Sequence, residues 1–276
     1  MIKISKKTLQ DLEFESVIQQ VAFHNVTTLG KAEILATLPF SNREEVIEAL
    51  QLTNEFVSSF DNENRIPNHG FDAITAELKL IRIENNYLEI DGFRRIASIC
   101  VTTNILLKFF KKFHEYYPLL HKVSLQLEAN TEIPEAINSV VDKFGEIRND
   151  ASDILYGLRK SIQAVRTKIN TSFNSALSMY NSADYLDDIR ETVMENRRVL
   201  AVKAMYRRKV KGSILGASKT GSIVYIEPDT TQQHQRDLNN LEFEETEEIK
   251  RILLELTSFI SGYSPLLESY QQFLTK

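Results

Sequence analysis

Residues 197–219 read RRVLAVKAMYRRKVKGSILGASK, a stretch with eight cationic side chains (Arg197, Arg198, Lys203, Arg207, Arg208, Lys209, Lys211 and Lys219) and no carboxylate. Guanidinium and ammonium groups at this density bind phosphate oxygens, the first through a planar fork of donors and the second as a compact charge. The whole chain has a formal net charge of -5, so setting these eight charges aside leaves -13 for the remainder. Attraction to an anionic polymer is focused on this segment and resisted elsewhere. Lysine on an edge strand also blocks unwanted strand pairing, but one or two charges suffice for that. No helix-turn-helix or zinc-finger spacing accompanies the cations. The expected contact is therefore with a phosphate backbone, set by shape and charge rather than by base identity.

Other candidate chemistries fail on spacing. Gly216-Ala217-Ser218-Lys219-Thr220-Gly221 resembles a phosphate loop, but GxxxxGK[ST] would need glycine at positions 213 and 218, where Ser213 and Ser218 stand. A strand-like run, Ser222 to Ile226, follows it instead of a helix, so 218–221 is read as a turn. The carboxylates Glu242, Glu244, Glu245, Glu247 and Glu248 lack an accompanying histidine and precede Lys250 and Arg251. They suit a solvated helix face with salt bridges better than a metal site. The five histidines are scattered, and no nucleophile, base and orienting group fall into one local motif. The single cysteine, Cys100, lies in an apolar run and is expected to be buried and inert; no disulfide within the chain is available to it.

The elements that must hold the basic segment are mainly helical. Six prolines and nine glycines in 276 residues, with long stretches of 3,4-spaced apolar positions, predict this. The length favours two units over one. From Thr8 to about Pro118 the helices read as short and amphipathic, with a capping box from Ser41 to Glu44 and Asp91 expected to cap the helix through Arg94, Ile99 and Leu106. From Ile137 to Tyr180 one apolar stripe runs through Val141, Phe144, Ile147, Ala151, Ile154, Leu158, Ile162, Val165, Ile169, Phe173 and Ala176. It predicts a single long helix of roughly 65 Å, paired with a later one through Leu238, Leu241, Ile249, Ile252, Leu253, Leu256 and Ile260. Between them, Ile189 to Met194, Arg198 to Lys203 and Ile223 to Ile226 read as strands, with a hairpin turn at Glu195-Asn196. Period-two alternation from Arg207 to Ile214 would place Arg207, Lys209, Lys211 and Ser213 on one face and Val210 and Ile214 on the other. The topology expected is a helix out, a small antiparallel sheet, and a helix back. No run approaches the ~20 apolar residues that a membrane helix needs, and a soluble cytoplasmic protein is expected.

The stretches N-D-A-S-D-I-L (149–155) with Arg159, R-R-V-L-A-V-K-A-M-Y-R-R-K-V-K-G (197–212), G-S-I-V-Y-I-E-P (221–228) and L-N-N-L-E-F-E-E-T-E-E-I-K-R-I-L (238–253) resemble the MutS family. The likeness is to bacterial paralogues of the recombination-suppressor kind, which lack the mismatch-reading domain. The opening L-E-F-E-S-V-I and T-T-L-G-K-A fit as well. The resemblance implies a mainly α fold: a helical core domain with a long antiparallel helical arm, or lever, carrying a small antiparallel β clamp at its tip. It divides the chain into a helical core (1–134), an outbound lever helix (135–187), the clamp (188–230), and the returning lever helix with a core helix (231–276). Carried over by position, Arg197, Arg198, Lys203, Arg207, Arg208, Lys209, Lys211 and Lys219 would touch nucleic-acid backbone. The family's ATPase domain, which would bind ATP and Mg, and its nuclease-like domain are not recognised before the chain stops at Lys276. The expectation is a fragment that is not itself an enzyme and holds no cofactor.

The leading functional expectation is the non-sequence-specific DNA-binding part of a MutS-like ATPase, acting as a homodimer on duplex, mismatched or branched DNA in mismatch repair or recombination control. A second reading is a clamp for ribosomal RNA on stalled ribosomes, which uses the same cations. A third is a helical dimerisation scaffold in which the charge is incidental.

Overall fold

A computed structural model describes residues 4–25, 27–40 and 42–275. Helices predominate, with one four-stranded antiparallel sheet among the described residues, in agreement with the mainly α expectation. The chain forms two compact units, one comprising the residues up to Arg148 together with those from Ile252 onward, the other Asn149–Arg251.

The first unit contains α1 (Lys6–Asp11), α2 (Phe14–Phe23), α3 (Thr28–Leu35), α4 (Arg43–Ser58), α5 (Thr75–Leu80), α6 (Ile90–Lys112), α7 (Pro118–Ser124), α8 (Glu132–Val140) and α11 (Ser264–Thr275). Helix α6 organises it: Phe93, Ile96, Ile99, Cys100, Thr103, Leu106 and Phe110 recur at helical spacing and are all buried. Helices α7, α8 and α11 pack on α6. The fully buried Tyr270 of α11 donates its hydroxyl to Glu128 O at 2.5 Å. Gln271 accepts from Ile74 N at 2.7 Å. Burial pushes the Cys100 thiol up to about 12, as suits an inert core residue.

Three helix expectations change. Ser41 lies outside the described residues, and the side chain that caps α4 is Asn42, which accepts from Glu45 N at 2.8 Å. Asp91 does not cap α6. Glu89 holds the N-cap position without a side-chain bond, and Asp91 lies in the first turn. The single helix expected from 137 to 180 is broken: α8 ends at Val140, and Val141 and Ile147 form an isolated bridge. The Asp142 carboxylate closes the turn between them, accepting from Phe144 N at 2.8 Å and Glu146 N at 2.9 Å, while Gly145 takes φ +85°. These amide bonds, Glu146's first, hold the Asp142 carboxyl below the usual range.

Near the start of the second unit Ser152 caps α9 (Asp153–Ser182) by accepting from Leu155 N at 3.0 Å. Strands β1 (Leu186–Met194), β2 (Arg197–Lys203), β3 (Gly212–Ala217) and β4 (Ile223–Pro228) form an antiparallel sheet in the order β1-β2-β4-β3. Glu195 (φ 49°) and Asn196 (φ 62°) make the two-residue turn expected between β1 and β2. Helix α10 (Asp229–Ser261) follows β4 and leads back to the first unit. In the sheet, Leu200 pairs with Ile226 and Val202 with Val224. These four pack with Leu186 and Val210 against Phe173, Ala176 and Tyr180 of α9.

Helices α9 and the first part of α10 run antiparallel: Arg159 pairs with Glu245 at 2.7 Å and Arg166 with Glu242 at 2.8 Å. Where the unit opens and closes, Ser152 donates to Glu248 at 2.6 Å and Arg251 binds the same carboxylate at 2.7 Å. Arg251 first, then Ser152, holds the buried Glu248 carboxyl down to about 2. Part of the acidic string thus bonds to helix partners, as a structural face would.

Candidate nucleic-acid interface

Strands β2 and β3 run parallel to one another with β4 between them, so the chain from 204 to 211 must cross the sheet. A 3-10 turn (Ala204–Tyr206) starts the crossing. Its backbone is tied by Ala204 N to Ser222 O at 2.9 Å and Lys209 N to Tyr206 O at 2.8 Å. Val210 enters the core, and the Tyr180 hydroxyl accepts from Lys211 N at 3.1 Å. Tyr206 stacks on Tyr185 at 4.8 Å between ring centroids, and Tyr185 on Tyr180 at 6.4 Å. The crossover is held by its backbone and aromatic rings, which leaves its cations turned to solvent.

This corrects the expected strand from 207 to 214. Residues 207–210 form a turn, so Arg207, Lys209 and Lys211 do not line one face by alternation, and β3 starts only at Gly212. Gly212 permits the close approach of β3 to β4, because a Cβ there would lie 2.1 Å from Glu227 O.

The eight cations divide into two sets. Arg197 binds Glu227, whose side chain is 5% exposed, at 3.0 Å. Arg198 binds Glu191 at 2.6 Å and Asn170 at 3.2 Å, with its guanidinium 4.2 Å over the Phe173 ring. Lys203 donates to Asp184 Oδ1 at 2.9 Å and to Asp184 O at 3.2 Å, and the carboxylate bond raises its pKa. These three are engaged within the fold. Arg207, Arg208, Lys209, Lys211 and Lys219 are exposed, and none has an ion-pair partner among the described residues. The first four lie along the crossover. Lys219 lies in the β3–β4 turn, whose Ser222 is bonded to the start of that crossover.

The carboxylates Asp184, Glu191 and Glu227 are the residues that spacing alone did not single out. The 218–221 turn matches its expected reading: Gly221 N donates to Ser218 O at 2.9 Å with Gly221 at φ +70°, and a strand follows. It does not have the geometry to hold a nucleotide phosphate chain at a helix N-terminus. Among the described residues no group of three or more histidine, cysteine, aspartate or glutamate side chains could hold a metal ion. No helix among them is long and apolar enough to cross a membrane.

No family model matches the chain. Its similar proteins include the "Endonuclease MutS2" of Aquifex aeolicus, 27% identical over 267 residues, which cover 96% of this chain and 35% of that protein. The "Endonuclease MutS2" of Symbiobacterium thermophilum is 28% identical over 264 residues, covering 96% and 33%. The "Putative endonuclease MutS2" of Bacillus subtilis is 26% identical over 264 residues, covering 95% and 34%. The chain spans about a third of the length of the curated relatives it matches. The resemblance drawn from 149–159 and 197–253 thus holds across nearly all of the chain, which is similar to the MutS2 proteins, paralogues within the MutS family.

Proposed function

We propose that this chain is the DNA-binding lever and clamp portion of a longer MutS-like ATPase, gripping duplex or branched DNA by its phosphates in mismatch repair or recombination control. In this reading the α9–α10 pair is the lever and the four-stranded sheet the clamp. The observation that carries it is the set of five exposed cations on the crossover and the β3–β4 turn of a protein whose overall charge is -5. Arg207, Arg208, Lys209, Lys211 and Lys219 bind backbone oxygens, while Arg197, Arg198 and Lys203 hold the clamp in shape. In this reading ATP and Mg, and the nuclease activity in the relatives' names, are assigned to other parts of the longer protein. Pairing of two clamps in a homodimer is part of the same proposal.

Fluorescence anisotropy of the chain with a four-way junction, a linear duplex and a single strand, at two salt concentrations, tests it. Five phosphate contacts predict a slope of about -4 to -5 in log K against log salt, at about 0.9 per phosphate. The triple variant Arg207→Glu, Lys209→Glu, Lys211→Glu is expected to abolish binding with helicity intact. Unchanged affinity in that variant would sink the proposal. Ribosomes as competitor decide between the polymers: displacement of ribosome binding by junction DNA supports the DNA reading, and ribosome binding that DNA cannot displace supports a clamp on ribosomal RNA.

A further inference from the structure

Strand β3 is an edge of the sheet: β4 pairs with one side of its backbone, and no strand among the described residues pairs with the other. An edge strand offers a row of unpaired N–H and C=O groups to an extended chain that fits beside it. The start of α10 is tied to this strand, where Gln232 donates to the Ser213 hydroxyl at 2.8 Å. Between the two elements lies a polar cavity of about 270 Å³, walled by Ser213 and Leu215 of β3 and by Gln235, Arg236 and Asn239 of α10. A second cavity of about 390 Å³ adjoins it along α10, sharing Gln235 and Asn239 and reaching Glu195 in the β1–β2 turn.

The charges of the first cavity do not cancel. Arg197 is balanced by Glu227 at 3.0 Å, whereas Arg236 is exposed and has no ion-pair partner among the described residues. One positive charge is left over, enough to balance a single carboxylate, which a guanidinium grips through two parallel N–H donors. The amide of Gln235 donates to Asn239 at 3.1 Å. That bond leaves the Gln235 oxygen to accept and the Asn239 amino group to donate, the pair that a peptide unit requires. Neither cavity is lined by an aromatic ring on which a nucleobase could stack.

We propose that the groove between β3 and α10 binds the C-terminal end of an extended peptide, added to the edge of β3 with its terminal carboxylate on Arg236. An upstream residue of the peptide reaches the second cavity, where the exposed Glu195 favours lysine or arginine. The site is independent of the phosphate-binding cations of the crossover.

The test screens this chain against a random library of short peptides with free C-terminal carboxylates and against the same library amidated. Peptides with lysine or arginine upstream of the terminus are expected to be enriched from the first library, and the best of them to slow amide exchange over 212–217 when bound. Amidating that peptide is expected to weaken its binding about tenfold or more. Arg236→Gln is expected to reproduce that loss with an unchanged circular dichroism spectrum, and Arg236→Lys to keep part of the affinity. Equal enrichment from both libraries, enrichment from neither, or a bound peptide that leaves exchange over 212–217 unaltered overturns the inference. Loss of duplex affinity in Arg236→Gln with no peptide enriched assigns the cation to nucleic acid and overturns it as well.

Discussion

Arg197 and Arg207 are the same residue type in opposite situations. Removing Arg197 leaves the buried Glu227 carboxylate without its guanidinium. Arg197→Ala is expected to cost about 2–3 kcal/mol, read as a lower urea midpoint. Arg207→Glu is expected to change stability by no more than about 0.5 kcal/mol while weakening DNA binding; a cooperative loss of structure in that variant would mean that the crossover charge is structural. The sequence marks all eight cations alike. Their partners Glu191, Asp184 and Glu227 stand 7, 19 and 30 residues from Arg198, Lys203 and Arg197, so only the folded sheet reveals which charges are engaged. Cys100 was legible from its apolar surroundings. With its thiol raised to about 12, it is expected not to react with a thiol reagent at pH 8 until the protein unfolds; rapid labelling of the native chain would contradict its burial.

Among the elements, the β1–β2 turn, β4 and α10 were readable because local signals suffice for them: paired turn residues, branched apolar runs and a helical period. The break between α8 and α9 was not, because 3,4-spaced apolar residues continue through it. Phe144 and Ile154 extend the stripe yet are exposed, and the Asp142 side chain and Gly145 decide the turn. The crossover was misread as a strand for a related reason: Val210 is anchored by tertiary packing that alternation does not encode. Gly212→Ala should separate β3 from β4, seen as faster amide exchange over 212–217; unchanged protection there would show that the strands can accommodate a Cβ. The joining of α9 to α10 is pH-dependent through Glu248. Its carboxyl is held down to about 2 from an ordinary value of 4.5, so the folded form binds fewer protons than the unfolded form. The stabilisation is complete above about pH 4.5 and is lost as pH falls toward 2. Glu248→Gln should remove this dependence from the acid unfolding curve, and an unaltered curve would assign acid sensitivity to another group.

For the molecule as a whole, the mainly α class was legible because few prolines and glycines interrupt a helical period that dominates the chain. Charge is also a whole-molecule property. Each exposed cation that reaches a phosphate is expected to add about 0.9 to the salt slope, so Lys219→Ala should flatten it by about one; no change would place Lys219 away from the backbone. The order of the two units along the chain has a further effect. Residues 149–251 form one continuous stretch, whereas the first unit needs α11, whose Tyr270 and Gln271 bond to Glu128 and Ile74. During synthesis the first unit waits for α11 until residues 149–251 have been made, on the order of ten seconds at ordinary elongation rates. The unit that begins second is the first able to finish folding, and the part of α6 that α11 covers stays open to chaperones throughout that interval.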